Sequence, residues 1–318
     1  MDGLILIDKP SDFTSHMVVN EIRKIIKTKK VGHYGTLDPM ATGLIVIAVG
    51  KATKLFPFFS KTDKAYFGKI RLGYSTDTYD AYGKSTSSPK KDFPSLDYLL
   101  KTMKKFEGQI DQIPPPFSAK KYKGKPLYTL ARQNKYIELK PSKIYIHFFQ
   151  LQDYHPPFIS FKVKCSSGTY IRSIAHDLGQ YLGCGAHLCQ LSRTEVGDFH
   201  LKDAHSLEKI RISADQGKID EFLIPLELLL PQLPKIILSP EGTALAKNGN
   251  LIYPEKIIKI FPSKTPPPNS IEEKEDIYKL FSLEGKLLAL AKKLPEKKCL
   301  HPFLVIDSGS DQNTTQNQ

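Results

Sequence analysis

The chain has 318 residues, 40% of them hydrophobic and 25% charged, which suits one large folded unit plus a small one. Its 46 lysines and arginines against 33 acidic residues leave a net charge of +13, and neutralising phosphates with release of counterions makes a polyanion the expected partner. No apolar run approaches the roughly 20 residues of a membrane helix; the four cysteines form no C-x-x-C pair and the nine histidines no H-E-x-x-H, which argues against a membrane span, a disulfide frame and a metal mechanism.

Met1 to Ile7 is too short for a signal peptide and runs into Asp8-Lys9-Pro10-Ser11-Asp12, so a soluble, cytoplasmic protein is expected. Leu4 to Ile7 reads as a short buried strand. Ser15 is placed to cap a helix carrying Val18, Val19, Ile22, Ile25 and Ile26 on one face, ending in lysines as its dipole prefers. A glycine-rich loop, Gly32 to Gly43, follows, and Leu44 to Val49 is a continuous apolar strand. Alternation at Tyr66, Gly68, Ile70 and Leu72 predicts another strand, with Phe67, Lys69 and Arg71 on its other face. Ser95 is placed to cap a helix bearing Leu96, Leu99, Leu100, Met103 and Phe106.

Residues 112–141 differ in character. Pro114-Pro115-Pro116 and Lys120, Lys121, Lys123 and Lys125 suggest an exposed insertion with a short helix near 127–132. Strands are expected at 143–150 and 158–165, and a helix over 169–182 with Ile171, Ile174, Ala175 and Leu178 on one side. Strands and helices without strict alternation read as α+β around a mixed, largely antiparallel sheet. Pro225, Pro231 and Pro234 mark a boundary between a unit of residues 1–230 and a small β-rich one of 234–307. Within the latter, 262–276 is a proline- and charge-rich loop; the low-complexity tail 308–318 should be disordered.

The most informative segment is Gly32-His33-Tyr34-Gly35-Thr36-Leu37-Asp38-Pro39-Met40-Ala41-Thr42-Gly43. Glycines there let backbone approach a ligand closely, but no phosphate-cradling G-x-x-x-x-G-K-[ST] is present. Taken alone, an Asp-Pro in a loop is more often a turn than a catalyst. The segment resembles the signature of the TruB family of tRNA pseudouridine-55 synthases, and further blocks stand in the family order. They are Asp8-Lys9-Pro10 with Thr14-Ser15; Lys64-Ala65-Tyr66 with Leu72-Gly73 and Thr76-Asp77-Thr78; Gln112-Ile113-Pro114-Pro115 with Ser118-Ala119; Gly168-Thr169-Tyr170-Ile171-Arg172; and Gly185-Ala186-His187 onward to Gly197. The likeness covers residues 1 to about 230 and implies the pseudouridine-synthase fold, with 112–141 as an RNA-gripping thumb. The C-terminal part is similar to a PUA domain in position and pattern.

The resemblance implies conversion of one uridine in the T arm of tRNA to pseudouridine by a monomer that needs no cofactor, no metal and no protein partner. Asp38 stands where the family places its essential aspartate, and a carboxylate there serves as nucleophile or assists proton loss from the sugar. Arg172 matches the arginine that pairs with that aspartate, orienting it in its charged form. Tyr66 matches the tyrosine that stacks on the target base near C5; Tyr170 and Leu191 match positions lining the uracil pocket. The uridine must be extracted from a folded loop, at a cost on the order of a few kcal/mol, and His33 matches the histidine that fills the space left behind. Lys9 matches a lysine supporting the N-terminal block, a role more structural than catalytic. The chain departs from the family pattern at Asp12 and Asn134, where glycine is usual, and at Tyr34, where a smaller residue is usual. Two other functions are compatible with these residues: a guide-RNA-dependent synthase similar to dyskerin, and a tRNA-folding chaperone with modification secondary. The thumb-like segment favours the stand-alone enzyme.

Overall fold

The computed structural model describes residues 1–118, 121–122, 125–126, 139–263 and 276–308. The helix expected near 127–132, Asn134, most of the 262–276 loop and the tail beyond Ser308 lie outside the described residues.

Strand β1 (Gly3–Lys9) is apolar throughout its middle because both its faces are covered. Ile5 and Ile7 join one core cluster, Leu4 and Leu6 another on the opposite side. The first helix, Ser15–Ile25, packs Val18, Val19 and Ile22 onto the sheet. Its cap is Thr14, whose Oγ1 accepts the Met17 N–H at 3.1 Å, not Ser15 as the sequence suggested. Ser15 is released for another contact, described below. The expected loop 32–43 is shorter than its glycines imply. Val31–His33 forms strand β2, and β3 (Thr42–Val49) already begins at Thr42.

The remaining strands of this unit are β4 (Lys64–Leu72), β5 (Gly108–Gln112), the short β6 (Lys121–Tyr122) and β7 (Lys125–Pro126), β8 (Ser142–His155), β9 (Phe158–Cys165), β10 (Ala186–Val196), β11 (Phe199–His200) and β12 (Ile224–Pro225). All but β6 and β7, which pair only with each other, join β1 to β3 in a sheet of order β12-β1-β3-β10-β4-β9-β8-β5, with β2 and β11 beside it; only its β3–β10 strand pairing is parallel. The α+β, largely antiparallel architecture expected from the sequence is the one observed. One edge of β3 carries β1 along its whole length; the other is shared by β2 at Ile47–Val49 and by β10 at Thr42–Gly43. The chain from Tyr34 to Ala41 leaves the sheet through the gap between those two partners.

On β4, Tyr66, Ile70 and Leu72 point into the core while Phe67 and Arg71 are exposed, as the alternation required. Helix Leu96–Lys104 is capped by Ser95. It buries Leu99 and Met103 but leaves Leu96 and Leu100 exposed, so its apolar face is narrower than expected. Helix Ile171–Tyr181 buries the four predicted side chains. On it, Asp177 is partly buried and has no hydrogen-bond or ion-pair partner among the described residues; burial pushes its carboxyl up to about 6. Between pH 3.8 and about 6 the folded chain holds this proton while the unfolded chain has released it. Stability from this group therefore falls as pH rises through that window. Asp177→Asn is expected to raise stability at neutral pH by about 1–2 kcal/mol and to change nothing at the acid end. Urea midpoints of the two proteins across pH check this, and equal midpoints at neutral pH would count against it.

The second sheet, in the order β14-β13-β15-β16-β17, is built from β13 (Lys235–Leu238), β14 (Ile257–Phe261), β15 (Ile277–Phe281), β16 (Leu287–Leu294) and β17 (Cys299–Val305). Helix Pro240–Lys247 is capped by Ser239 and packs on it. The two sheets share a core: Phe281, Leu287, Leu290 and Ile306 cluster with Leu4, Leu6, Leu44 and Val46. Lys54 adds hydrogen bonds to the Val305 and Ile306 carbonyls at 2.8 and 3.2 Å.

Candidate active site

The loop between β2 and β3 is tied down at both shoulders, which leaves Asp38 at its tip. Ser15 Oγ accepts the Leu37 N–H at 2.8 Å and donates to the Leu37 carbonyl at 3.2 Å. Lys9 is fully buried, and its ammonium donates to the carbonyls of Pro10 (2.8 Å), Phe13 (2.6 Å) and Pro39 (3.1 Å). Burial lowers the Lys9 pKa to about 8, against the opposing pull of Asp12 and Asp38. Lys9 thus pins the residue after Asp38 to the end of β1. Asp12, found where glycine is usual, adopts a left-handed φ of 65°, a conformation aspartate tolerates better than most residues. Its N–H donates to the Pro39 carbonyl at 2.8 Å and its carboxylate accepts the Tyr82 hydroxyl. Tyr34, also a departure, is buried: its ring stacks on Phe59 at 4.9 Å and its hydroxyl donates to the Ala52 carbonyl.

Arg172 enters from the first turn of helix Ile171–Tyr181, and two of its nitrogens grip the Asp38 carboxylate, Nε to Oδ2 at 2.8 Å and Nη2 to Oδ1 at 2.9 Å. The fork geometry matches a carboxylate in two places at once. The helix N-terminus adds a favourable dipole for an anion. Arg172 also donates to the Thr78 carbonyl (3.0 Å) and the Phe117 carbonyl (2.9 Å), and Asp80 lies 3.6 Å from Nη1. The turn before the helix is held by Gln112, whose side chain accepts the Tyr170 N–H at 2.8 Å and donates to its carbonyl at 3.0 Å. The Arg172 side chain is 5% exposed, whereas that of Asp38 is 33% exposed. The arginine is a buried support, and the carboxylate keeps an open face.

That face looks into a cavity of about 350 Å³ whose walls include Asp38, Tyr66, Tyr170, Arg172 and Leu191. Five of the seven residues singled out from the sequence therefore meet in one place. Lys9 lies behind the loop. His33, half-buried at the end of β2, is not among the cavity walls; its Nδ1 accepts the Gly35 N–H at 3.3 Å, and burial lowers its pKa. Tyr66 is 8% exposed, and burial pushes its hydroxyl up to about 12; burial also raises the Tyr170 hydroxyl. The walls include two cations to which the sequence assigned no role, Lys64 and Arg193. Arg193 is itself buried on β10, two residues after the buried Leu191, and pairs with Gly43 of β3. A Cβ at Gly43, where φ is +95°, would sit 2.5 Å from the Arg193 carbonyl oxygen, so no larger residue fits at that crossing. Among the described residues no group of three or more His, Cys, Asp or Glu side chains is placed to hold a metal ion.

Residues 23–171 match the family model described as TruB family pseudouridylate synthase (N terminal domain). Residues 172–231 match tRNA pseudouridylate synthase B C-terminal domain. The tRNA pseudouridine synthase B of Solibacter usitatus is 43% identical over 78% of this chain and 85% of its own length. The protein of the same name from Dehalococcoides mccartyi is 40% identical over 81% and 86%. Among solved structures, a chain of a Cbf5-Nop10-Gar1 complex superposes with a TM-score of 0.70 at 24% identity, covering 96% of this chain and 86% of that one. A chain of an H/ACA RNP bound to a substrate RNA gives 0.69 at 23% identity, with 96% and 84% covered. At such identities the likeness is one of fold.

Proposed function

The chain belongs to the TruB family of pseudouridylate synthases, isomerases of tRNA, and we propose that its target is uridine 55 of the T loop and that Asp38 is the catalytic carboxylate. The observation that carries this reading is the two-pronged Asp38–Arg172 pair beside Tyr66 in a cavity reached by the open face of the carboxylate. The uridine swings out of its stack into that cavity and lies against Tyr66. The C1′–N1 bond breaks, the base turns, C5 bonds to C1′, and the C5 hydrogen leaves as a proton while N1 gains one. Uridine and pseudouridine contain the same atoms, so nothing enters or leaves in the net reaction. Asp38 acts either as a nucleophile, adding to the base or to C1′ and leaving again as C5 bonds to C1′, or as a base that takes the C2′ proton and then returns it. Arg172 contributes by fixing where that carboxylate points.

We further propose that residues 1–230 form the catalytic unit, with 112–141 gripping the T arm, and that 234–307 is a PUA-like RNA-binding unit. The net charge of +13 suits an RNA partner. A T-arm stem-loop carrying tritium at uridine C5 tests the reading, because tritium is released only when C5 becomes the glycosidic carbon. Release without any added guide RNA is the expected result. No release from stem-loop or full-length tRNA would remove the stand-alone reading.

A further inference from the structure

Two cations in the walls of the Asp38 cavity have no ion-pair partner among the described residues. Arg193 is 1% exposed and Lys64 is 5% exposed. Arg193 donates to neutral acceptors, the carbonyls of Leu44 (2.8 Å), Gly35 (3.1 Å) and Thr36 (3.4 Å) and the Tyr66 hydroxyl. Lys64 donates to the carbonyls of Ser60 (3.0 Å) and Thr62 (2.5 Å). Neither forms an ion pair among the described residues. Asp63, the acid next to Lys64 in sequence, lies against His147 at 2.8 Å and acts on Lys64 only as the weakest of the charges around it. Lys64 has three N–H donors and two acceptors among the described residues, which leaves one donor facing none of them. Arg172, by contrast, is matched by Asp38 and flanked by Asp80.

Burying an unpaired cation is costly, and carbonyl dipoles offset only part of that cost. Lys9 braces the same loop through carbonyls alone, but it lies behind the loop, whereas Lys64 and Arg193 line the cavity itself. Two such cations on one cavity form a site whose positive charge is unmatched until something negative arrives. A backbone phosphate carries its charge before the reaction and stays near the surface while its base swings inward. Arg193 is almost wholly buried and stands beside the Tyr66 hydroxyl, deep in the pocket. The group that reaches such a depth is the base itself.

We infer that Lys64 and Arg193 stabilise the negative charge on the detached uracil between breaking of the C1′–N1 bond and formation of the C1′–C5 bond. The inference rests on the reaction proposed above. When C1′–N1 breaks, its electron pair stays with the base, spread over N1 and the two carbonyl oxygens. Asp38 compensates C1′, and the anion turns within the cavity. C5 then returns the electron pair to C1′, its proton departs and N1 is protonated. A preorganised positive wall stabilises the anion more than the neutral nucleoside, which is what lowers a barrier.

The test compares uridine with 5-fluorouridine at the target position of a T-arm stem-loop, in single turnovers read as loss of the N-linked nucleoside after digestion. Fluorine makes the departing base a weaker base, so its release depends less on the cations. Its C5 cannot shed a proton, but loss of the N-linkage is still counted. Lys64→Met is expected to slow uridine by about 100-fold and 5-fluorouridine by about tenfold less, with Lys64→Arg restoring most of the rate. Arg193→Lys, which keeps the charge but loses the fork, should shift the same ratio in the same direction by less. Because both substrates are measured on one preparation, a partly unfolded variant changes both rates together and leaves the ratio alone. Equal slowing of the two substrates would overturn the inference and leave these residues as braces. Weakened RNA binding with an unchanged single-turnover rate would assign them to a phosphate and also overturn it. Failure of the wild type to convert uridine would overturn the underlying reaction itself.

Discussion

Replacing Asp38 by asparagine is expected to lower turnover by about 10⁴-fold or more while changing T-arm affinity by less than about tenfold. Asparagine has the same shape and can still accept from Arg172, so the loop should stay in place. It can neither bond to C1′ as a carboxylate does nor take a proton from the sugar. Affinity comes from phosphate contacts and surface shape spread over the T arm, to which one cavity side chain adds little. Tritium release and filter binding on the same stem-loop measure the two quantities. Turnover within about tenfold of wild type would move the chemistry to another group. A collapse of binding in step with turnover would mean that Asp38 holds the RNA more than it transforms it.

Some of this site was legible in the sequence for a physical reason. Asp38, Arg172 and Tyr66 lie in short blocks whose residue order is set by local geometry: a glycine-flanked loop, a helix first turn and a strand end. The roles proposed for them rest on those blocks. Lys64 stood in a quoted block, Lys64-Ala65-Tyr66, but only as the neighbour of Tyr66, and nothing local marks Arg193. On a strand, alternation assigns a charged residue to the solvent face, and only the tertiary structure shows Arg193 turned inward onto the carbonyls of a loop distant in sequence. Asp80 was hidden in the same way: it approaches Arg172 across a gap that no periodicity encodes. The cap of the first helix was misassigned between Thr14 and Ser15 because both can cap. The choice was made by Leu37, which takes both hydrogen-bonding functions of the Ser15 hydroxyl. The proline-rich boundary near 230 was read from composition alone, and composition does not show that apolar residues on either side of it share one core.

Arg172→Met is expected to affect stability and catalysis together. The guanidinium is the meeting point of four elements: the Asp38 loop, the Thr78–Asp80 turn, the Phe117 end of the 112–141 segment and its own helix. Removing one partner of a buried pair costs about 3–5 kcal/mol when the other charge stays buried. A third of the Asp38 side chain is exposed, and water there recovers part of the loss; about 2–3 kcal/mol is the expected fall in unfolding free energy. The activity loss should exceed about 10³-fold, because the carboxylate that remains is no longer aimed. Coupling between the two residues separates these effects. In an Arg172→Met background, Asp38→Asn removes an orphaned charge and should restore about 1 kcal/mol of stability, while recovering no turnover. Urea unfolding of the four proteins of the cycle, with tritium release from each, measures both. If Asp38→Asn destabilises the Arg172→Met protein further, the pair is not the electrostatic hinge between loop and helix, and the positive wall of Lys64 and Arg193 would have to hold the carboxylate in its place.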